Sequence, residues 1–111
     1  MAHTKKPAYL LTRNEVDFDN DEETPRRVGV YETKDEANKA KTRNVLKCLK
    51  DEGVTLNKET KQQVIDAFTG KTNGFTIDGY FVTEDEVYDS DDTHIFPAYS
   101  WELETVNLVK K

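Results

Sequence analysis

The chain has 111 residues, of which 35% are hydrophobic, and its 16 basic and 22 acidic side chains give a net charge of −6. This length fits one domain with its own core, and no apolar run approaches the roughly 20 residues of a membrane-spanning helix. The acidic balance disfavours nucleic acid as a partner, because binding it requires a basic surface that neutralises phosphates. We therefore expect a flexible tail at residues 1–7 and a single domain at residues 8–111.

The cysteine content and the N-terminal residues predict the compartment. Cys48 is the only cysteine, so the chain cannot form an internal disulfide. The residues that follow Met1 include charges but no apolar stretch of the length found in signal peptides. These features predict a cytoplasmic protein that is not attached to a membrane.

The first two predicted elements are strands. Side chains alternate between two faces over residues 9–18, which predicts a strand, and the β-branched residues at 28–31 predict a second one. The polar segment between them, residues 19–25, is predicted to be a loop. The two strands should therefore form an antiparallel hairpin.

The next segment carries the clearest signals of the chain, those of a helix. Thr33 and Glu36 have the spacing of a capping box, and Gly53 is a typical C-terminal stop. These residues predict a helix over residues 33–52. Its inward face should carry the following residues: Ala37, Ala40, Asn44, Val45, Cys48 and Leu49.

A second, shorter helix is predicted to begin after Asn57 and to end at Gly70. Its apolar side chains should point into the core: Val64, Ile65 and Phe68. After the Asn73-Gly74 turn, alternating side chains over residues 75–81 predict a third strand.

The last part of the chain is predicted to form an acidic loop and a final strand. The acidic run at residues 84–92 favours an exposed loop. Residues 101–109 alternate as in a strand, but the alternation changes phase, which predicts a β-bulge near Glu104.

The order strand, strand, helix, helix, strand, strand predicts an α+β fold. A four-stranded, mainly antiparallel sheet with both helices on one face would bury all of these apolar stripes. The alternative is a unit of two strands and one helix to which the remaining residues are loosely attached.

The segment from Gly29 to Ala40 reads Gly-Val-Tyr-Glu-Thr-Lys-Asp-Glu-Ala-Asn-Lys-Ala. With the acidic hairpin before it, this segment resembles one found in small uncharacterised intracellular proteins, mostly of fungi and phages. The similarity covers about residues 8–50. The resemblance implies no activity and no functional residue.

Neither a metal site nor a catalytic site is predicted. Two acidic clusters have the first three positions of a calcium loop: Asp17, Asp19 and Asp21, and then Asp89, Asp91 and Thr93. Both lack the turn glycine at position six and the bidentate glutamate at position twelve. His3 falls in the predicted tail, His94 in an acidic loop, and Cys48 on an inward helix face. We therefore expect no metal, no cofactor and no catalytic residue.

Two groups of residues are candidates for partner binding. The basic residues Lys39, Arg43, Lys47 and Lys50 share the outer face of the first predicted helix on an otherwise acidic protein. Phe96, Tyr99 and Trp101 lie in an apolar segment around Pro97, which cannot donate to a sheet ladder. We expect Tyr99 or Trp101 to lie at the edge of an exposed apolar patch, which typically marks an interaction site. In the alternative interpretation, the basic face is only solvated and the rings complete the core.

These features favour a non-catalytic domain that binds another macromolecule, most simply a protein, or that associates with itself. Two alternatives remain. The acidic residues at 17–23 and 84–92 could imitate the phosphates of a nucleic acid and occupy a basic cleft. The chain could also be a small enzyme, for which the sequence offers no catalytic pattern.

Overall fold

A computed structural model describes residues 5–17, 22–89 and 97–109. The elements in this part of the chain are β1 (Lys5–Asp17), β2 (Glu22–Tyr31), α1 (Lys34–Asp51), α2 (Lys58–Phe68), β3 (Phe75–Ile77), β4 (Tyr80–Thr83), β5 (Glu86–Asp89) and β6 (Tyr99–Val109). The strands form a six-stranded antiparallel sheet in the order β2-β1-β6-β5-β4-β3. The α+β class with two helices is confirmed, but the predicted sheet of four strands is wrong.

The two additional strands arise from tight turns in the second half of the chain. The predicted single strand at 75–81 is divided by Asp78 and Gly79, whose φ angles of 47° and 86° reverse the chain between β3 and β4. The predicted acidic loop at 84–92 instead begins with a second turn, at Asp85 with φ 61°, and continues as β5. Residues 90–92 lie outside the described residues.

The long strands also differ from the prediction. β2 begins at Glu22, so residues 22–25 are strand rather than loop, and β1 begins at Lys5 inside the predicted tail. The pairing of β1 with β6 runs from Lys5 to Glu15 without a shift, so there is no bulge near Glu104. The irregularity lies instead in the β1–β2 register, between Leu11 and Thr12.

The ladder between β5 and β6 is much shorter than the one between β1 and β6. Among the described residues, only Glu86 with Ser100 and Val87 with Tyr99 are paired across it. The main-chain N–H of Trp101 adds one hydrogen bond, of 2.9 Å, to the carbonyl oxygen of Asp85.

The first helix forms as predicted. The hydroxyl oxygen of Thr33 accepts a hydrogen bond of 3.1 Å from the main-chain N–H of Glu36, and α1 follows directly. The predicted apolar positions of α1 are buried: Ala37, Ala40, Val45, Cys48 and Leu49. Burial of this face against the sheet stabilises the helix more than its weak intrinsic propensity does.

Replacement of the cap, Thr33→Ala, is expected to lower the free energy of unfolding by about 1 kcal/mol, because the N–H of Glu36 loses its acceptor. Chemical denaturation followed by circular dichroism measures this change. The matched variant Thr33→Ser keeps the hydroxyl and should stay close to the wild type. Equal loss in both variants would show that the cap hydrogen bond is not the cause.

Both helices pack on the same face of the sheet. α2 begins at Asn57, which forms a reciprocal capping box with Thr60, and it buries Val64, Ala67 and Phe68. α1 contacts mainly β1 and β2, whereas α2 contacts β3, β4 and α1. The helices meet the sheet in one apolar cluster, to which the strands contribute Leu11, Val82, Val87 and Trp101.

Candidate functional site

The candidate site is a groove of about 750 Å³ at the end of α1, where the chain turns into α2. We call it the α1–α2 groove. Its lining residues come from both helices and from the connection between them: Arg43, Leu46, Lys47, Lys50, Gly53, Val54, Thr55, Leu56 and Lys61. Among the described residues, this lining contains four cationic side chains and no carboxylate.

The floor of the α1–α2 groove is apolar because of how α1 ends. Gly53 adopts a φ of 88°, which favours glycine, and the chain reverses there. The N–H of Val54 then donates to the carbonyl oxygen of Leu49 at 3.0 Å, and the Val54 side chain is buried. Leu46 and Leu56 are only half-buried against the same core, so they leave apolar surface in the groove.

The rim of the groove carries charges that the described part of the chain does not neutralise. Arg43, Lys47, Lys50 and Lys61 are exposed, and none of them has an ion pair with a described residue. Two other cations of α1 are paired, since Lys39 lies 3.1 Å from Asp35 and Lys41 lies 2.6 Å from Asp85.

The structure therefore divides the predicted basic face. It brings Arg43, Lys47 and Lys50 together at the groove, whereas Lys39 lies further along α1. Lys39 lines a separate shallow depression together with Asn38, Thr42 and Arg43. Arg43 belongs to both surfaces, so the two are continuous along the helix.

The aromatic candidates lie elsewhere. Phe96 lies outside the described residues. Trp101 is only 3% exposed and contacts Phe68 edge to face, with ring centroids 5.0 Å apart, so it is a core residue and offers no surface to a partner. Tyr99 is half-buried, and its hydroxyl donates to the carboxylate of Glu52. We therefore leave Tyr99 and Trp101 out of the proposed binding surface.

A second cavity, of about 400 Å³, lies where the end of α1 meets the sheet. Its polar lining includes Glu15, Arg26, Glu52, Tyr80 and Tyr99. Both tyrosine hydroxyls donate to Glu52, and both arginines near Glu15, Arg13 and Arg26, pair with its carboxylate. The bonds from Tyr80 of β4 and Tyr99 of β6 to Glu52, which directly follows α1, hold the end of α1 on the sheet.

The electrostatics of this second cavity follow from those contacts. Burial raises the pKa of Glu15, but the hydrogen bonds and charges of Arg26 and Arg13 outweigh it and hold the pKa below its ordinary value. Burial and the hydrogen bond to Glu52 raise the pKa of Tyr80 to about 12, and they raise the pKa of Tyr99 as well.

The raised tyrosine pKa values predict a loss of stability in alkali. Between pH 10 and about pH 12 the unfolded tyrosines release protons that Tyr80 and Tyr99 keep in the folded state, so the free energy of unfolding falls as pH rises. The variant Tyr80→Phe/Tyr99→Phe should show a shallower fall. Urea denaturation at several pH values from 8 to 11 measures how steeply the free energy of unfolding falls with pH in each protein. Equal slopes for the wild type and the variant would show that Tyr80 and Tyr99 do not cause the fall.

The thiol of Cys48 is buried in the core. Burial is the main cause that raises the pKa of Cys48 to about 11, so its thiol is protonated at neutral pH and is a poor nucleophile. His3 and His94 lie outside the described residues. The same holds for residues 18–21 and 90–92, on which the calcium-loop spacings and the nucleic-acid mimic depend.

The apolar half of the groove and its fourth cation, Lys61, were not predicted from the sequence. A signal for them exists: Val54 and Leu56 are apolar residues in a short connection between two capped helices, which otherwise favours polar side chains. Leu46 lies beside the inward face of α1, where a partly exposed leucine is common.

Within the described part of the chain, neither helix has the length and apolar character needed to cross a membrane. Comparisons with protein-family models, with curated proteins and with solved structures found no match. The functional argument therefore rests on the residues and geometry of this chain.

Proposed function

We propose that the protein is a non-catalytic domain that binds another protein through the α1–α2 groove. One observation supports this most strongly: four cations without ion pairs to described residues surround an apolar floor on a chain with a net charge of −6. Clustered exposed lysines alone are common on solvated helix faces. Their combination with half-buried leucines is typical of interfaces, which have an apolar centre and a polar rim.

The groove also supports a protein partner over the other classes of macromolecule. A surface for nucleic acid needs a broad basic area, whereas this chain is acidic and its cations surround apolar side chains. A hydrophobic floor is stabilised by covering it with apolar surface, at roughly 25 cal/mol for each Å² removed from water. We place this function in the cytoplasm, because the single cysteine fits a reducing compartment.

The test compares a groove variant with a matched surface variant. Leu46→Ser/Leu56→Ser removes apolar side chains from the floor of the groove, whereas Val30→Ser/Phe81→Ser removes two large hydrophobic side chains that are exposed elsewhere in the described part of the chain. Both variants are first checked by circular dichroism. Each is then used, beside the wild type, to isolate proteins from the native host for quantitative mass spectrometry, and each isolated protein is purified for a direct affinity measurement.

The proposal predicts a protein whose purified form binds the wild type and the Val30→Ser/Phe81→Ser variant with equal affinity. The same protein should bind the groove variant at least about tenfold more weakly, because residues at the centre of an interface dominate its affinity. If the Val30→Ser/Phe81→Ser variant alone loses binding, the function belongs to the open sheet face. If neither variant changes binding, the groove is not the interface.

A further inference from the structure

We infer that the partner presents an acidic peptide segment that carries apolar anchor side chains. This inference rests on the proposed function and specifies what the α1–α2 groove recognises. The inference concerns the chemistry of the bound segment. A partner that binds in the groove without acidic residues would contradict the inference but not the proposed function.

The positions of the cations support an anionic occupant. Arg43, Lys47 and Lys50 are separated by four and three residues, so they lie on one face of α1 over about 10 Å of helix. Lys61 approaches the groove from α2, on its other side. An occupant of the groove would therefore meet positive charge from both helices.

These four side chains are available to a ligand. They are exposed, and their charges have no ion-pair partner in residues 5–17, 22–89 or 97–109. By contrast, the nearby Lys39 and Lys41 already have carboxylate partners. Arg43 can bind a carboxylate with two parallel hydrogen bonds, and the lysines add point charges.

The apolar floor separates an acidic peptide from other anions. The side chains of Leu46 and Leu56 offer no hydrogen bond to a phosphate, and a small anion or an oligonucleotide would leave their exposed apolar surface uncovered. A peptide can place carboxylates on the rim and aliphatic or aromatic side chains on the floor at the same time. The volume of about 750 Å³ lies within the range of roughly 300–1,000 Å³ that is typical of ligand pockets.

The experiment uses a displayed library of random twelve-residue peptides, selected on the wild-type chain. Peptides that also bind Leu46→Ser/Leu56→Ser are discarded, which leaves those that depend on the groove. Enriched peptides should contain more Asp and Glu than Lys and Arg, together with Leu, Ile, Phe or Trp. The affinity of one synthetic, fluorescently labelled peptide is then measured by anisotropy.

Charge variants test the recognition directly. Lys47→Glu/Lys61→Glu should weaken binding of the labelled peptide at least about tenfold, and Lys47→Gln/Lys61→Gln should have an intermediate effect. The control Lys34→Glu/Lys71→Glu makes the same change in net charge at exposed lysines outside the groove and should change affinity less than about threefold. Binding to the wild type should also weaken as salt is raised from 50 to 500 mM.

The outcomes separate the two proposals. Groove-dependent peptides without an acidic excess, whose affinity does not change in Lys47→Glu/Lys61→Glu, would overturn this inference and leave the proposed function intact. Loss of affinity in the control variant as well would also overturn it, because the effect would then come from net charge alone. A twelve-nucleotide RNA that binds more tightly than the peptide through the same lysines would overturn it in favour of nucleic acid. If no groove-dependent peptide is found, this inference fails, whereas the proposed function is decided by the affinity of the isolated protein for the wild type and for Leu46→Ser/Leu56→Ser.

Discussion

Trp101→Ala is expected to lower the free energy of unfolding by about 3–5 kcal/mol, the range for removal of a fully buried aromatic side chain. Trp101 is 3% exposed and packs edge to face on Phe68, which is completely buried. Its indole N–H also donates a hydrogen bond of 2.8 Å to the side-chain oxygen of Asn44. Because a domain is stable by only about 5–15 kcal/mol, this loss should bring the chain close to unfolding.

Urea denaturation followed by circular dichroism measures the effect, since Trp101 is the only tryptophan and its fluorescence is lost in the variant. Phe81→Ala is the matched control, because Phe81 is 37% exposed and lies on the other face of the sheet. That control should change stability by less than about 1 kcal/mol. A Trp101→Ala variant as stable as Phe81→Ala would contradict the position of Trp101 in the core.

Asn44→Ala is expected to lower the free energy of unfolding by about 2–3 kcal/mol, although Asn44 is small and only half-buried. Its side-chain oxygen accepts hydrogen bonds from Trp101 and, at 3.3 Å, from Nη1 of Arg13. The variant would leave both donors without this acceptor, and the Nε of Arg13 is already buried without a partner among the described residues. Buried donors without acceptors keep the full cost of their lost hydration.

Two variants show whether the acceptor is the cause. Asn38→Ala, at an exposed position of the same helix, should leave stability unchanged or raise it slightly, because alanine has the higher helix propensity. Asn44→Asp keeps an acceptor beside the Arg13 guanidinium and should be less destabilising than Asn44→Ala. Equal losses for Asn44→Asp and Asn44→Ala would argue against the hydrogen-bond explanation.

The helices could be predicted from the sequence because their signals are local. The hydroxyl of Thr33 and the side chain of Asn57 bind main-chain groups three residues away, so each cap is visible in four consecutive residues. The inward face of α1 follows from the helical period alone, and this period places Asn44 within it although its partners, Arg13 and Trp101, lie in distant strands.

The sheet was harder to predict because its strands depend on distant partners. β2 starts with exposed polar residues and is a strand because β1 pairs with it; for example, Glu15 pairs with Thr24. β5 has one buried residue, Val87, within an acidic stretch, and its strand conformation comes from pairing with Val82. The Asp78-Gly79 turn did have a local signal, since Asp-Gly favours two-residue hairpin turns. The alternation of side chains over residues 75–81, however, favours a single strand through this position.

The groove was predicted only in part, for the same reason. Arg43, Lys47 and Lys50 fall on one face of a predicted helix, so their proximity follows from the sequence. Lys61 and Leu56 join them only because α2 folds back against α1, and that contact depends on the packing of Val64 and Phe68.

The narrow ladder between β5 and β6 has a consequence for cooperativity. Among the described residues only two pairs join the strands across it, so the attachment of β3, β4 and β5 to the rest of the molecule also depends on the packing of α2 on β3 and β4. Such a segment can open as a unit and exchange its amide hydrogens without global unfolding. α1 packs on β1 and β2, on one side of this ladder, whereas α2 packs on β3 and β4, on the other side. A ligand in the α1–α2 groove that holds the two helices together would therefore raise the free energy of this opening according to its concentration and affinity, although strand residues do not line the described part of the groove.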